Sequence, residues 1–272
     1  MRRFTKLLVS LGLVVGLVGC GPKPQEKTQF VVGMECAYAP FNWQTAQATD
    51  SSVSLGNMGY ADGYDVQIAK RIADDLGLEL VIKKVSWDGL ILALESEEID
   101  AIIAGMTATP DREEGVDFTT PYYDSQGMIM IVRKDSEMAS YTDIQQFSGK
   151  TVVGQKATSY DDVIDQIDGV IHATPKATYP EMVVALQQGD VDGITAEMAV
   201  AEGVLAANPD LTVVRFAEGK GFEADTTVSI GLKEGSRGSD FFNSVQASLD
   251  KISLETRAQL MSNAVLNQPV ED

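Results

Sequence analysis

The apolar positions between residues 30 and 104 change period several times, and each change marks an element. Residues 30–34 form an unbroken apolar run of strand length. Val66, Ala69, Ile72, Ala73 and Leu76 then recur at helical spacing, with Gly77 as the stop. Residues 78–85 alternate as a strand, 88–94 return to helical spacing, and 101–104 form another apolar strand that breaks at Gly105. Strand, helix, strand, helix, strand predicts an α/β unit with a largely parallel sheet. Ligands of such sheets lie beyond the carboxyl ends of the strands, and Glu35 and Gly105 both fall just past such ends.

A second series follows. The apolar run 127–132 leads into Arg133-Lys134-Asp135, and a comparable run at 227–232 leads into Lys233-Glu234-Gly235. Between them lie expected strands at 151–154, 192–195 and 211–216, with helices from about 159 and over 181–188 and 197–207. This order predicts two similar lobes joined by two crossing strands: lobe 1 over 30–131, lobe 2 over 132–225, and a return through the hinge to lobe 1 over 226–272. Residues 44–60 are polar and longer than the usual connection, which predicts an exposed, inserted loop.

Arg2, Arg3 and Lys6 precede an apolar run over 7–19, shorter than the ~20 residues that a membrane-spanning helix needs. Residues 1–19 therefore read as a signal peptide. Leu17-Val18-Gly19-Cys20 resembles a bacterial lipobox, in which Cys20 would be lipidated and become the first residue of the mature chain; the alternative is ordinary small-x-small processing. Residues 20–29, with Pro22 and Pro24, would be the tether.

The whole chain carries 21 Lys+Arg against 40 Asp+Glu, a net charge of -19. Loss of residues 1–19 removes three positive side chains and leaves about -22. Such a balance argues against nucleic acid and anionic lipid surfaces as partners. With Cys20 lipidated, Cys36 has no disulfide partner. His172 is the only histidine and no Cys/His cluster has metal-ligand spacing, so neither metal nor cofactor is expected.

Gly105-Met106-Thr107 and Pro110-Asp111-Arg112 place a hydroxyl, and five residues later a guanidinium, on one loop at a strand end. Such a guanidinium can grip a carboxylate with two parallel hydrogen bonds. With Tyr38-Ala39-Pro40-Phe41, Gly63-Tyr64-Asp65, Trp87-Asp88-Gly89-Leu90-Ile91 and Ile99-Asp100-Ala101 in this order, the chain resembles the bacterial extracellular solute-binding proteins of family 3, which deliver polar amino acids to ABC importers. The resemblance implies a bilobed periplasmic-binding-protein-like type II fold, with two parallel-sheet lobes joined by a two-strand hinge.

It further implies a ligand site. Arg112 and Thr107, with backbone groups of Gly105 and Met106, would take the α-carboxylate of an L-amino acid, aided by Thr158 and Ser159 at a helix start. Glu197 would meet the ammonium, and Glu35, Tyr38, Trp87 and Gln155 would line the side-chain pocket. Two positions depart from the family pattern: many relatives have glycine where Ala157 stands, and aspartate is common where Glu197 stands.

Each residue also has a plainer reading. Arg112 reads as a surface ion-pair member, Glu197 as favourable charge at a helix N-terminus, and Tyr38 and Trp87 as core aromatics. Two aromatic faces and a carboxylate suit arginine, lysine or ornithine. Glutamine competes, its amide donating to Glu35 and accepting from Gln155. The expectation is a monomeric, lipid-anchored receptor on the extracytoplasmic face of the cell membrane, working with an ABC permease and its cytoplasmic ATPase. Cyclohexadienyl-dehydratase-like enzymes share the implied fold, but no activated nucleophile or acid/base pair stands out, so no enzyme activity is expected.

Overall fold

The computed structural model describes residues 27–125 and 127–269, so the expected signal peptide, Cys20 and the tether up to residue 26 lie outside the described residues. Two five-stranded sheets form the centres of two α/β lobes. In the first, the spatial order is Glu79–Lys84, Gln29–Met34, Ala101–Ile102, Gly231–Lys233, Val116–Phe118. In the second it is Ile171–His172, Thr151–Val153, Gly193–Ala196, Ile129–Arg133, Leu211–Val214. The same connectivity is thus used twice.

Both sheets are largely parallel, as expected, with one exception each: the fourth strand in this order runs against the other four. The reason lies in the crossings. Tyr123–Asp124 and Thr227–Val228 pair antiparallel as the hinge, and each delivers the chain to the carboxyl-end edge of the next sheet. A strand entering there must run away from the cleft. Ile129–Arg133 pairs wholly within the second sheet, so a lobe boundary at 131/132 cuts through it; the crossing itself lies at the hinge strands.

Packing follows the sequence pattern closely. Phe30, Val32 and Met34 are fully buried in the first sheet, and a Cβ on Gly33 would lie 2.4 Å from Ile99 Cδ1. Helix Tyr64–Leu76 buries Ile68 and Ile72 against the sheet and ends at Gly77 in the left-handed conformation, whose N–H caps the last turn. The expected loop at 44–60 is instead partly paired. Asn42–Thr45, Val53–Ser54 and Tyr60–Asp62 join Ala37–Tyr38 in a small antiparallel sheet, where Asp62 accepts hydrogen bonds from Thr49 and Ser51.

The two C-terminal helices pack on the first lobe, and the last one also reaches the second. Asp240–Asp250 packs on Tyr64–Leu76, and Asp75 there pairs with Ser248 and Lys251. Leu254–Asn267 touches both Tyr64–Leu76 and Met198–Ala207. Among the described residues, no helix is long and apolar enough to cross a membrane.

Candidate functional site

The carboxyl ends of both sheets meet across one cleft. From the first lobe come Glu35 after Gln29–Met34, Trp87 after Glu79–Lys84, and Gly105 to Arg112 after Ala101–Ile102. From the second come Gln155 to Tyr160 after Thr151–Val153, and Glu197 after Gly193–Ala196. Tyr38, Trp87, Gly105, Thr107, Arg112, Gln155, Thr158 and Ser159 line one cavity, and Tyr160 completes it. Glu35, Met106 and Glu197 stand behind that lining and are buried. A larger groove of about 780 Å³ runs between Trp43 and helix Tyr179–Gln188 and contains none of the residues expected at the site.

Arg112 sits on the one-turn helix Pro110–Glu113, whose start is capped by the Thr109 hydroxyl. Its Nη1 donates to Thr107 O at 2.9 Å and its Nη2 to Ala157 O of the other lobe at 3.0 Å. A guanidinium has five N–H donors, so three remain for a ligand. Arg112 Cζ lies 5.2 Å from the centroid of the Trp87 ring, while Trp87 Nε1 also donates to Ala157 O, at 3.0 Å. Arg112 is therefore no surface ion-pair member; burial lowers its pKa. Ala157 holds a left-handed φ of 59°, a conformation that glycine adopts most readily. Beside it, Lys156 and Asp88 form a 2.9 Å ion pair between the lobes.

Two carboxylates face each other's lobes. Glu35 accepts from Gln155 Nε2 at 3.0 Å, and burial pushes its pKa up to about 7 against that hydrogen bond and the attraction of Lys84. Glu197 is 1% exposed and accepts from the Tyr38 hydroxyl, while its Oε2 has no partner. It stands at the N-cap of helix Met198–Ala207 but makes no capping bond, so favourable charge at the helix start does not account for where its carboxylate points. Burial raises this pKa to about 7 too, opposed by the Tyr38 and Tyr160 hydroxyls.

Around Glu197 the rings form a wall. Tyr38 stacks on Phe41 with centroids 5.2 Å apart and an 8° interplanar angle, and Tyr179 lies 5.2 Å from Tyr38. Tyr179 donates to Thr195 O at 2.8 Å, and Thr195 donates to Tyr160 O at 2.6 Å. Sequence reasoning missed Tyr160 and Tyr179. The first follows Ser159 directly and was within reach of the motif; the second, beside Pro180, carries no local signal of its role.

The geometry thus supplies one cation, two buried carboxylates and several aromatic faces between two lobes. A family model for the bacterial extracellular solute-binding proteins, family 3, matches residues 30–259. The chain belongs to this family. Among family relatives, it is 28% identical over 249 residues to the arginine-binding extracellular protein ArtP of Bacillus subtilis, covering 89% of this chain and 91% of ArtP. The substrate-binding protein AbpA of Streptococcus pneumoniae, solved bound to L-arginine, matches with a TM-score of 0.76 and 25% identity over 90% of this chain and 97% of that one. An ancestral arginine-binding protein solved with glutamine bound matches with a TM-score of 0.73 and 25% identity, over 88% of this chain and 98% of that one.

Proposed function

We propose that this family 3 protein is the extracytoplasmic receptor of an ABC importer for a cationic L-amino acid, arginine, lysine or ornithine. The observation that carries the reading is the pair of buried carboxylates, Glu35 and Glu197, on opposite lobes of a cleft that also holds Arg112. A ligand with two positive groups and one carboxylate balances that set. The free donors of Arg112 take the carboxylate, the unpartnered Glu197 Oε2 takes the ammonium, and Glu35 takes the side-chain cation once Gln155 yields. Thr158 and Ser159, at the start of helix Ser159–Asp162, place backbone N–H groups on the carboxylate side.

The receptor works by capture, not turnover. Cys20 carries the lipid that holds it to the outer face of the membrane, and a permease with a cytoplasmic ATPase takes the ligand from the monomer. Contacts to both lobes exist only when the cleft is shut, so the ligand favours closure.

A thermal-shift screen against the common L-amino acids plus ornithine and citrulline tests the ligand class. At a hundred times its dissociation constant a ligand adds about 2.7 kcal/mol. A shift confined to arginine, lysine and ornithine is expected. A glutamine shift of equal size would turn the pocket assignment over to Gln155 as the selector. Labelled palmitate incorporated by the native chain and lost in Cys20→Ala tests the anchor.

A further inference from the structure

Two sharp bends aim the first lobe's cleft residues. One is at Cys36, directly after Glu35, with φ 56°; the other is at Gly105, ahead of Thr107, with φ 64°. Both are left-handed, and the first is held by a side-chain-bearing residue, for which this conformation is costly. Each bend has one backbone N–H that leads to the same carboxylate. Cys36 N–H donates to Asn42 Oδ1 at 2.8 Å, and Asn42 Nδ2 donates to Asp65 Oδ2 at 2.8 Å. Gly105 N–H donates to the Tyr122 hydroxyl at 3.1 Å, and that hydroxyl donates to Asp65 Oδ1 at 2.6 Å.

From this geometry we infer that Asp65 is a positioning residue of the ligand site: one carboxylate, acting through Asn42 and Tyr122, fixes the two left-handed bends that present Glu35 and the Gly105 to Arg112 loop. Asp65 and Asn42 are fully buried and Tyr122 is 1% exposed, so water cannot substitute for any member. Asp65 is anchored at the start of helix Tyr64–Leu76, where its own N–H donates to Phe41 O at 2.8 Å. Tyr122 is anchored by its carbonyl, which accepts from the Tyr64 hydroxyl at 2.9 Å. The ordinary account of an acidic residue in a first helical turn is charge against the helix dipole. Here both carboxylate oxygens are committed elsewhere, to the two arms.

Donor and acceptor directions make the arrangement testable. Only an acceptor on both sides satisfies Asn42 Nδ2 and the Tyr122 hydroxyl together. In Asp65→Asn the new amide must aim its NH2 at one arm, either disturbing the Tyr122 to Gly105 arm or forcing Asn42 to turn its NH2 toward Cys36 N–H. The exchanged pair Asn42→Asp with Asp65→Asn restores every direction. The new aspartate accepts from Cys36 N–H and from the new amide, whose oxygen accepts from Tyr122. Net charge is unchanged.

The inference rests on the amino-acid-receptor reading for its functional consequence but not for its structural one, so two measurements are made on the same variants. The first is amide exchange of the unliganded protein at Cys36 and Gly105, referenced to the strand Gln29–Met34. The second is arginine affinity by calorimetry. Asp65→Asn is expected to speed exchange at one or both bends about tenfold and to weaken arginine about tenfold or more. The exchanged pair returns both to near native, and Tyr122→Phe speeds Gly105 but not Cys36. Protected bends in Asp65→Asn, failure of the folded exchanged pair to recover, or unchanged affinity despite loosened bends would each overturn the inference. If the native protein binds no amino acid, the receptor reading fails while the exchange data still decide whether Asp65 holds the bends; in Tyr122→Phe that decision survives even if Asp65→Asn does not fold.

Discussion

Arg112 has two kinds of partner, and the difference decides what its removal does. The carbonyls it now binds do not depend on it. Thr107 O also accepts from Thr109 N–H at 3.1 Å, and Ala157 O also accepts from Trp87 Nε1. Truncation to alanine therefore orphans no buried acceptor and should change stability by about 1 kcal/mol or less. A bound carboxylate has no such reserve. Arg112→Ala is expected to abolish amino-acid binding in a calorimetric titration while the melting temperature moves by only a few degrees. Arg112→Lys should fail almost as badly, because an ammonium cannot hold Thr107 O, Ala157 O and a carboxylate in one planar fork. Affinity within tenfold of native in either variant would remove Arg112 from the centre of the site.

At the scale of elements, the site depends on how closely helix Ser159–Asp162 approaches the end of strand Thr151–Val153. Gly154 permits that approach: a Cβ there would lie 2.5 Å from Asp161 Cα and 2.7 Å from Asp161 N, backbone atoms that cannot swing aside. Gly154→Ala should push the helix outward, costing about 1–3 kcal/mol in denaturant unfolding and displacing Thr158, Ser159 and Tyr160 together. Native stability with native affinity would show that the helix can shift freely. Most strands and helices of both lobes were legible because each is written in a local period, and the Gly105 to Arg112 loop because its residues are consecutive; the short edge strands Val116–Phe118 and Ile171–His172 carry no such period and were not read. What stayed hidden is long-range or directional. The reversed fourth strand of each sheet follows from where the hinge delivers the chain, which no local pattern records. The pairing within 44–60 joins polar residues without alternation. Asn42, Asp65 and Tyr122 each look like turn, helix-start and hinge residues alone, and only the fold brings them to one point.

For the whole molecule, the charge arrangement makes proton and ligand rivals for the same closed cleft. Glu35 and Glu197 have no cationic hydrogen-bond partner there, and desolvation lifts both from an ordinary 4.5 to about 7. Gln155 and Lys84 face Glu35; Tyr38, Tyr160 and Tyr179, whose hydroxyls burial holds well above their usual range, face Glu197; and Asp65, which also acts on Glu197, is itself lifted by burial to about 6 and adds to the same acid-side slope. A raised carboxyl pKa means that the closed form binds more protons than the unfolded chain between about 4.5 and 7. Stability without ligand should then be greatest toward the acid end of that window and fall as pH rises through about 7. A cationic ligand needs the opposite state, both carboxylates charged, so its affinity should rise over the same interval and release protons on binding below pH ~7. Separating the lobes lets water reach both groups and returns them toward their ordinary range, so acid also favours closure without ligand. The expected signature is a pair of opposed slopes between about pH 5.5 and 8: melting temperature of the free protein falling, arginine affinity rising, with Glu35→Gln flattening part of each. Scattering should give a smaller radius of gyration for the free protein at the acid end. Parallel slopes, or an affinity indifferent to pH, would mean that the two carboxylates are already charged in the closed cleft and that closure is governed by the Arg112, Trp87 and Lys156 contacts alone.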